Sequence, residues 1–164
     1  MAPVRTLGWC LVAIMASMLL ATACGTYDPR FVFEDSEPTE AERIAIYGTL
    51  KEMKAFAVDG GNVNETKWWG TTAVNQSVGM RNDMLALLLD LGADPNIRDR
   101  AGMAAIHTAV IRKAPEPERV ESVRLLLAAG ADTSVEGTGG PWNGKTPCQI
   151  ARDQSDHELA GLLC

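Results

Sequence analysis

The chain has 164 residues and a formal net charge of −6 at pH 7. This length allows one modest domain once a targeting segment is set aside. The acidic balance argues against a general nucleic-acid-binding protein, so we expect no nucleic acid among the partners.

Residues 1–23 are predicted to be a secretory signal rather than part of the fold. Arg5 is the only charged side chain among them, and residues 6–23 are mostly apolar. They end in the small residues Ala21-Thr22-Ala23. A short positive start, an apolar stretch and small residues at the end are typical of such signals.

Cys24, at the end of this segment, indicates a lipid anchor. Small residues followed by cysteine resemble the lipobox of bacterial lipoproteins, which implies a lipid-bearing Cys24 and a membrane-anchored protein facing the periplasm. By the same resemblance Gly25 favours the outer membrane. The segment departs from the lipobox at Ala21, where leucine is more usual. Ordinary signal peptidase could instead release a soluble periplasmic protein, or the uncharged stretch could stay as a membrane anchor.

Residues 24–38 are predicted to be a tether between the membrane and the folded domain. The segment Gly25–Pro38 contains two prolines and five charged residues and has no helical period. The next four residues, Thr39-Glu40-Ala41-Glu42, have the Thr-x-x-Glu pattern of a capping box. The first helix of the domain is therefore expected to begin there.

A helix followed by glycine recurs three times in the rest of the chain. Gly60, Gly92 and Gly130 each follow the last apolar residue of a helical pattern, at spacings of 32 and 38 residues. Glycine at such a place ends a helix in the left-handed conformation at little cost. The clearest copies read MLALLLDLGADPN at 84–96 and VRLLLAAGADTS at 123–134. A period in this range is typical of repeat proteins.

These segments resemble the ankyrin repeat, which has a period of about 33 residues and consists of a β-turn and two helices. The first helix of that family carries a Thr-Pro-Leu-His-x-Ala signature. The segment at 146–151 matches it at threonine, proline and alanine, and 104–109 matches it at histidine and alanine. At 71–74 only the first threonine is kept. The repeat that begins near residue 39 keeps almost none of it, as expected of a terminal repeat.

The resemblance implies an all-α ankyrin-repeat solenoid over residues 39–164. Four repeats are predicted, at about 39–64, 65–96, 97–134 and 135–164. Two connections are longer than the family requires. They are Lys113–Glu118, where two prolines separate the helices of the third repeat, and Val135–Asn143, which leads into the fourth. Lengthened loops of a repeat array mark surfaces that vary with function.

The sequence offers no catalytic constellation, and we expect a non-enzymatic protein without cofactor or metal. The two histidines, His107 and His157, are far apart and do not form a metal site. His107 occupies the histidine position of the ankyrin signature, where the resemblance implies a local hydrogen-bonding role. The glycines at 137, 139 and 140 lack the strand-to-helix context and the lysine of a phosphate loop, and no serine lies in a glycine-flanked elbow.

Two of the four cysteines are candidates for a disulfide. Cys10 leaves with the signal and a lipid would block Cys24, so Cys148 and Cys164 remain in an oxidising compartment. The resemblance implies antiparallel helices in the last repeat, which brings the two cysteines together. We therefore expect a Cys148–Cys164 disulfide, although two buried free thiols would also fit the sequence.

The candidate binding surface also follows from the ankyrin resemblance. In that family the turns between repeats project to one side, and they and the first helices usually contact protein partners. The partner-binding candidates in these turns are Trp68, Trp69, Arg98, Arg100, Trp142 and Asn143. Tryptophan and arginine dominate interface energetics, and Trp142 is expected at an exposed loop tip. One or two tryptophans could instead cover the turn bases or the face of the first helices, Trp69 more readily than the others.

These patterns predict a monomeric, non-catalytic protein-binding scaffold at the bacterial cell envelope. A periplasmic immunity or inhibitor protein that blocks a secreted toxin or an envelope enzyme is an alternative, and an envelope-stress factor fits equally well. An enzyme would require a convergent acid–base pair in the concave groove of the stack.

Overall fold

The computed structural model describes residues 37–67 and 69–164. Eight α-helices and one isolated parallel bridge, between Gly137 and Asn143, are present in this part of the chain. The helices are α1 Glu40–Tyr47, α2 Leu50–Val58, α3 Ala73–Ser77, α4 Asn82–Asp90, α5 Ala105–Ile111, α6 Glu116–Ala128, α7 Pro147–Asp153 and α8 His157–Leu163. The prediction of an all-α fold is confirmed for these residues.

Several sequence predictions concern residues outside the described part. The signal at 1–23, the lipid-bearing Cys24, nearly all of the tether and Trp68 lie there. Of the helices that are described, none has the length and apolar character needed to cross a membrane.

The described helices pair along the chain, and the pairs stack. The contacting pairs are α1 with α2, α3 with α4, α5 with α6, and α7 with α8. The odd-numbered helices contact one another in succession and form one layer, and the even-numbered helices form a second layer in the same way. The described domain is therefore a row of four helix pairs in two layers.

Threonine side chains cap the N-termini of three helices of the odd-numbered layer. The hydroxyls of Thr39, Thr72 and Thr146 each accept the backbone N–H three residues further on, at 3.1, 3.2 and 3.4 Å. The N–H of Thr39 also donates to the carboxylate of Glu42 at 2.9 Å, so the predicted capping box is confirmed. These bonds satisfy N–H groups that a helix start leaves without an intrahelical partner.

The recurring glycines end helices as predicted. Gly60, Gly92 and Gly130 have φ angles of 85°, 85° and 81°, in the left-handed region. Nothing lies within 4 Å of a Cβ atom built on any of the three, so backbone conformation rather than crowding favours glycine there.

Asparagine side chains connect the segments that follow successive helices of the even-numbered layer. The Oδ1 atom of Asn64 accepts the N–H of Asp94 at 2.8 Å, and that of Asn96 accepts the N–H of Asp132 at 2.8 Å. The last copy of the pattern carries Ser134 where the second has Asn96. These bonds thus join the segment after α2 to the segment after α4, and that segment to the one after α6.

The core lies between the two layers and extends along the row. Its apolar side chains form one continuous cluster. The largest fully buried ones are Met53, Met84, Leu85, Leu88, Ile106, Leu126, Ile150 and Leu159. Burying this apolar surface is the main favourable contribution to folding.

A disulfide closes the last helix pair. The sulfur atoms of Cys148 and Cys164 are 2.07 Å apart and their Cα atoms 5.4 Å apart, in agreement with the predicted pairing. Cys148 lies in the first turn of α7 and Cys164 follows the last residue of α8. The start of α7 therefore meets the end of α8, which makes the two helices antiparallel.

Candidate functional site

The turns that precede α5 and α7 are joined to each other and to the turn before α3 by backbone hydrogen bonds. The N–H of Arg100 donates to the carbonyl of Trp69 at 3.0 Å, and the N–H of Thr138 donates to the carbonyl of Ala101 at 2.8 Å. A Cβ atom on Gly70 would lie 3.0 Å from the Cα of residue 99, so the turns also approach closely. We call residues 69–70, 98–102 and 135–143 the row of turns.

The row of turns contains every described partner-binding candidate from the sequence. These are Trp69, Arg98, Arg100, Trp142 and Asn143. The structure therefore brings these candidates into neighbouring segments. Their side chains nevertheless lie in different environments.

Trp69 is the more exposed of the two described tryptophans in the row of turns. Its side chain is 62% exposed, so it does not cover the base of its turn. The order of burial is the reverse of the expected one, because Trp142 is more buried than Trp69. An exposed indole held on a hydrogen-bonded turn is a large apolar surface that could be buried at little entropic cost.

Trp142 is half-buried and packs against the hydrophobic core, so the expectation of an exposed loop tip is wrong. The reason is that the loop at 135–143 folds back on itself. The N–H of Gly137 donates to the carbonyl of Lys145 at 3.1 Å, and its own carbonyl accepts the N–H of Gly144 at 2.8 Å. The ammonium of Lys145 lies 5.9 Å from the centroid of the Trp142 ring, within the range of a cation–π contact.

Glycine allows the loop at 135–143 to lie directly on the preceding turn. A Cβ atom on Gly139 would be 3.0 Å from the Cβ and 3.2 Å from the Cα of Ala101. Such contacts are tighter than ordinary packing, so a larger residue would push the loop away. Close approach therefore explains glycine at 139. At Gly140 nothing lies within 4 Å of a built Cβ atom, and the positive φ of 61° favours glycine there instead.

The side chain of Arg98 links two segments of the row. Its Nε atom donates to the carbonyl of Gly102 at 2.8 Å, and its Nη2 atom donates to the carbonyl of Glu136 at 2.7 Å. Arg98 was predicted to bind a partner. The structure gives its guanidinium a role in holding the loop, and the prediction of partner contact stays untested for this exposed residue.

Asp99, which was not among the candidates, shapes the middle turn. Its Oδ1 atom accepts the N–H of Ala101 at 2.8 Å and the N–H of Met103 at 2.9 Å. Asp residues at the start of turns often bond to the backbone two residues on, and this is the signal in the sequence that could have identified it.

An open groove of about 410 Å³ lies beside the row of turns. It is bounded by the turn at 98–102, by α5 and by the loop at 135–143. Its apolar lining is formed by Ala101, Met103, Ile111 and Trp142. Its polar lining is formed by Asp99, Thr108 and Arg112. The sequence did not predict this groove, because it exists only where the loop folds onto the neighbouring turn.

Two arginines bond to the last carbonyls of helices in the preceding pair. Arg112, at the groove, donates through Nη1 to the carbonyls of Gln76 and Val78 at 3.1 and 3.0 Å, at the C-terminal end of α3. Arg81 donates in the same way to Ala45 at 3.1 Å and to the carbonyl of residue 48 at 2.7 Å, at the end of α1. A cation at a helix C-terminus is favourable for the helix dipole. Burial lowers the pKa of Arg112.

His107 is fully buried and has a structural hydrogen-bonding pattern. Its Nδ1 atom accepts the N–H of Ala104 at 3.2 Å, so Nε2 carries the proton and donates to the carbonyl of Val135 at 3.0 Å. Burial in this environment lowers the pKa of His107, which favours the neutral ring. The histidine thus ties the start of α5 to the loop at 135–143.

No set of three or more histidine, cysteine, aspartate or glutamate side chains is placed to hold a metal ion within residues 37–67 and 69–164. No known protein-family model matches the chain.

Proposed function

We propose that the chain is a non-catalytic protein-binding domain of four ankyrin-like repeats, and that the row of turns is its binding surface. The observation that carries this proposal is Trp69, an indole that is 62% exposed on a turn fastened to its neighbour by a backbone hydrogen bond. Folding gains little from an exposed indole, whereas an interface that buries it gains substantially.

The ankyrin-like assignment draws support from several independent features. Glycines with positive φ end helices at 60, 92 and 130, and asparagine side chains connect successive helix ends. Helix pairs stack in two layers. His107 bonds locally and to the next connection, as the sequence resemblance implies. A row of repeated helix pairs offers an extended surface along which turns can contact one partner.

The proposed location is the bacterial cell envelope, with a lipid on Cys24. The support is the apolar segment that ends in small residues and cysteine. The disulfide between Cys148 and Cys164 is a second argument, because such bonds persist mainly in oxidising compartments. Replacing Cys24 with serine is expected to abolish labelling by radioactive fatty acid. Equal labelling of the two proteins would contradict the lipid anchor.

Affinity capture from envelope extracts tests the binding proposal. We expect the wild-type protein to retain a specific partner and Trp69→Ala to retain at least about tenfold less of it, since an anchor of this kind contributes about 2 kcal/mol or more. Tyr47→Ala is the matched control, because Tyr47 is an aromatic side chain that is 79% exposed but belongs to α1 rather than to the row. Equal loss in the two variants, or no partner at all, would contradict the proposal.

A further inference from the structure

The groove beside the row of turns has the shape and lining of a site for an apolar side chain. Its volume of about 410 Å³ falls within the range of ligand-binding clefts. Ala101, Met103, Ile111 and Trp142 provide the lining, so a buried apolar group gains more there than a polar one. Because the groove is open along one side, it suits a side chain carried by a segment that lies across the surface.

The position of Trp142 also points to a prepared site. The loop that carries it is held by the bond from Thr138 to Ala101 and by Arg98, which reaches the carbonyl of Glu136. The indole therefore forms a fixed wall of the groove in the unbound protein. A site that is ordered before binding avoids part of the entropic cost of forming a complex.

One acidic and one basic side chain, Asp99 and Arg112, line the groove itself. The adjoining segments are more basic than the chain as a whole, which has a formal net charge of −6. The segments that form the groove and its margin carry four basic residues and two acidic ones: Arg98, Arg100, Arg112 and Lys113, with Asp99 and Glu136. A basic region on an acidic protein favours acidic partners and repels basic ones.

We propose that this groove receives an acidic segment of a partner protein, which inserts one aromatic or branched aliphatic side chain beside Ile111 and Trp142. Carboxylates flanking that side chain lie against the basic margin, with Arg112 at the groove itself. This proposal rests on the protein-binding function proposed above and specifies the chemistry of the partner. The apolar anchor supplies most of the affinity, and the charges supply orientation and selectivity.

Thr108 allows a matched test of the charge requirement. It lies in the middle of α5, is partly exposed and lines the groove. Glutamate and lysine at this position have similar length and similar helix propensity but opposite charge. Thr108→Glu and Thr108→Lys therefore occupy the groove to a comparable extent, and a difference between them reports the charge of the bound segment.

The probe is a phage-displayed library of random dodecapeptides, selected on the purified wild-type protein. We expect the selected peptides to carry an aromatic or branched aliphatic residue flanked by aspartate or glutamate. The tightest peptide should bind Thr108→Glu at least about tenfold more weakly than Thr108→Lys. Its affinity for the wild type should also fall as salt is raised, which tests the charge requirement even if a variant does not fold.

The proposal is overturned if the library yields no binders, if the selected peptides are basic, or if they bind the two variants equally. It is also overturned if sedimentation shows a dimer that Thr108→Glu dissociates, because the occupant is then a second copy. If both Thr108 variants capture an envelope partner as well as the wild type does, while Trp69→Ala does not, the binding function stands and the groove proposal fails. If the wild type captures no partner, the binding function itself fails.

Discussion

The two described tryptophans in the row of turns differ in exposure, and the difference indicates which of them contributes to the stability of the fold. Trp69 belongs to a short turn and is 62% exposed, whereas Trp142 belongs to the enlarged loop at 135–143 and packs against the core. Loop length alone suggests that Trp142, which lies in the longer segment, is the more exposed of the two. The exposure of a side chain in this row is decided by the backbone bonds that close each segment, and the long loop makes more of them.

The difference implies a division of roles. Trp69 contributes little to folding, since few of its atoms leave water when the chain folds, and under the proposed binding function it contributes surface to a partner. Trp142 contributes to both, because one part of its ring packs on the domain and another lines the groove. The following predictions test this division, beginning with the largest expected effect.

Removing the disulfide should loosen the enlarged loop and leave the turn at Trp69 unaffected. The bond joins residues separated by 16 positions, and closing a loop of this length contributes about 3 kcal/mol to the free energy of unfolding. We expect the double variant Cys148→Ala, Cys164→Ala to lose about that much, as measured by urea unfolding. Amide hydrogen exchange should rise in residues 137–164 and stay unchanged around residue 70. An equal rise in amide hydrogen exchange in residues 137–164 and around residue 70 would contradict the proposed difference between the two regions.

Replacing each tryptophan with alanine should separate their contributions to stability. Trp142→Ala is expected to lower the free energy of unfolding by about 2 kcal/mol, because it removes a large side chain packed on the core. Trp69→Ala should change it by less than about 0.5 kcal/mol, as is usual for exposed positions. Thermal and urea unfolding of the two variants measure this directly. Equal destabilisation would show that Trp69 also supports the fold.

Acid should weaken the attachment of the enlarged loop through His107. Burial lowers the pKa of His107 in the folded protein below the usual value of about 6.5 in the unfolded chain. The unfolded chain therefore takes up a proton first, and stability that is complete above pH 6.5 falls as the pH decreases below it. The slope for one such group is at most about 1.4 kcal/mol per pH unit.

The variant His107→Gln provides the control for this pH dependence. Glutamine can retain a hydrogen bond but does not titrate, so the stability of the variant should change less between pH 7 and pH 5. Carboxylates contribute to both proteins equally and cancel in the difference. A pH profile that is identical in the two proteins would exclude His107 as its cause.

Local patterns predicted much of the fold but only part of the site. The capping box at Thr39 and the helix-ending glycines depend on residues close in sequence, and the structure agrees with them. The burial of Trp142 depends on bonds such as that from Thr138 to Ala101, which join segments distant along the chain. The carbonyl contacts of Arg81 and Arg112 are similarly distant, at separations of 33 to 36 residues, and no local pattern indicates them.

The most direct test of the central claim is hydrogen exchange of the protein alone and in complex with its captured partner. The account predicts that binding protects amides around residue 70, in 98–102 and in 137–143, and that the even-numbered helices exchange as before. Protection confined to the connection between α5 and α6, or to the even-numbered layer, would contradict the claim that the row of turns is the binding surface.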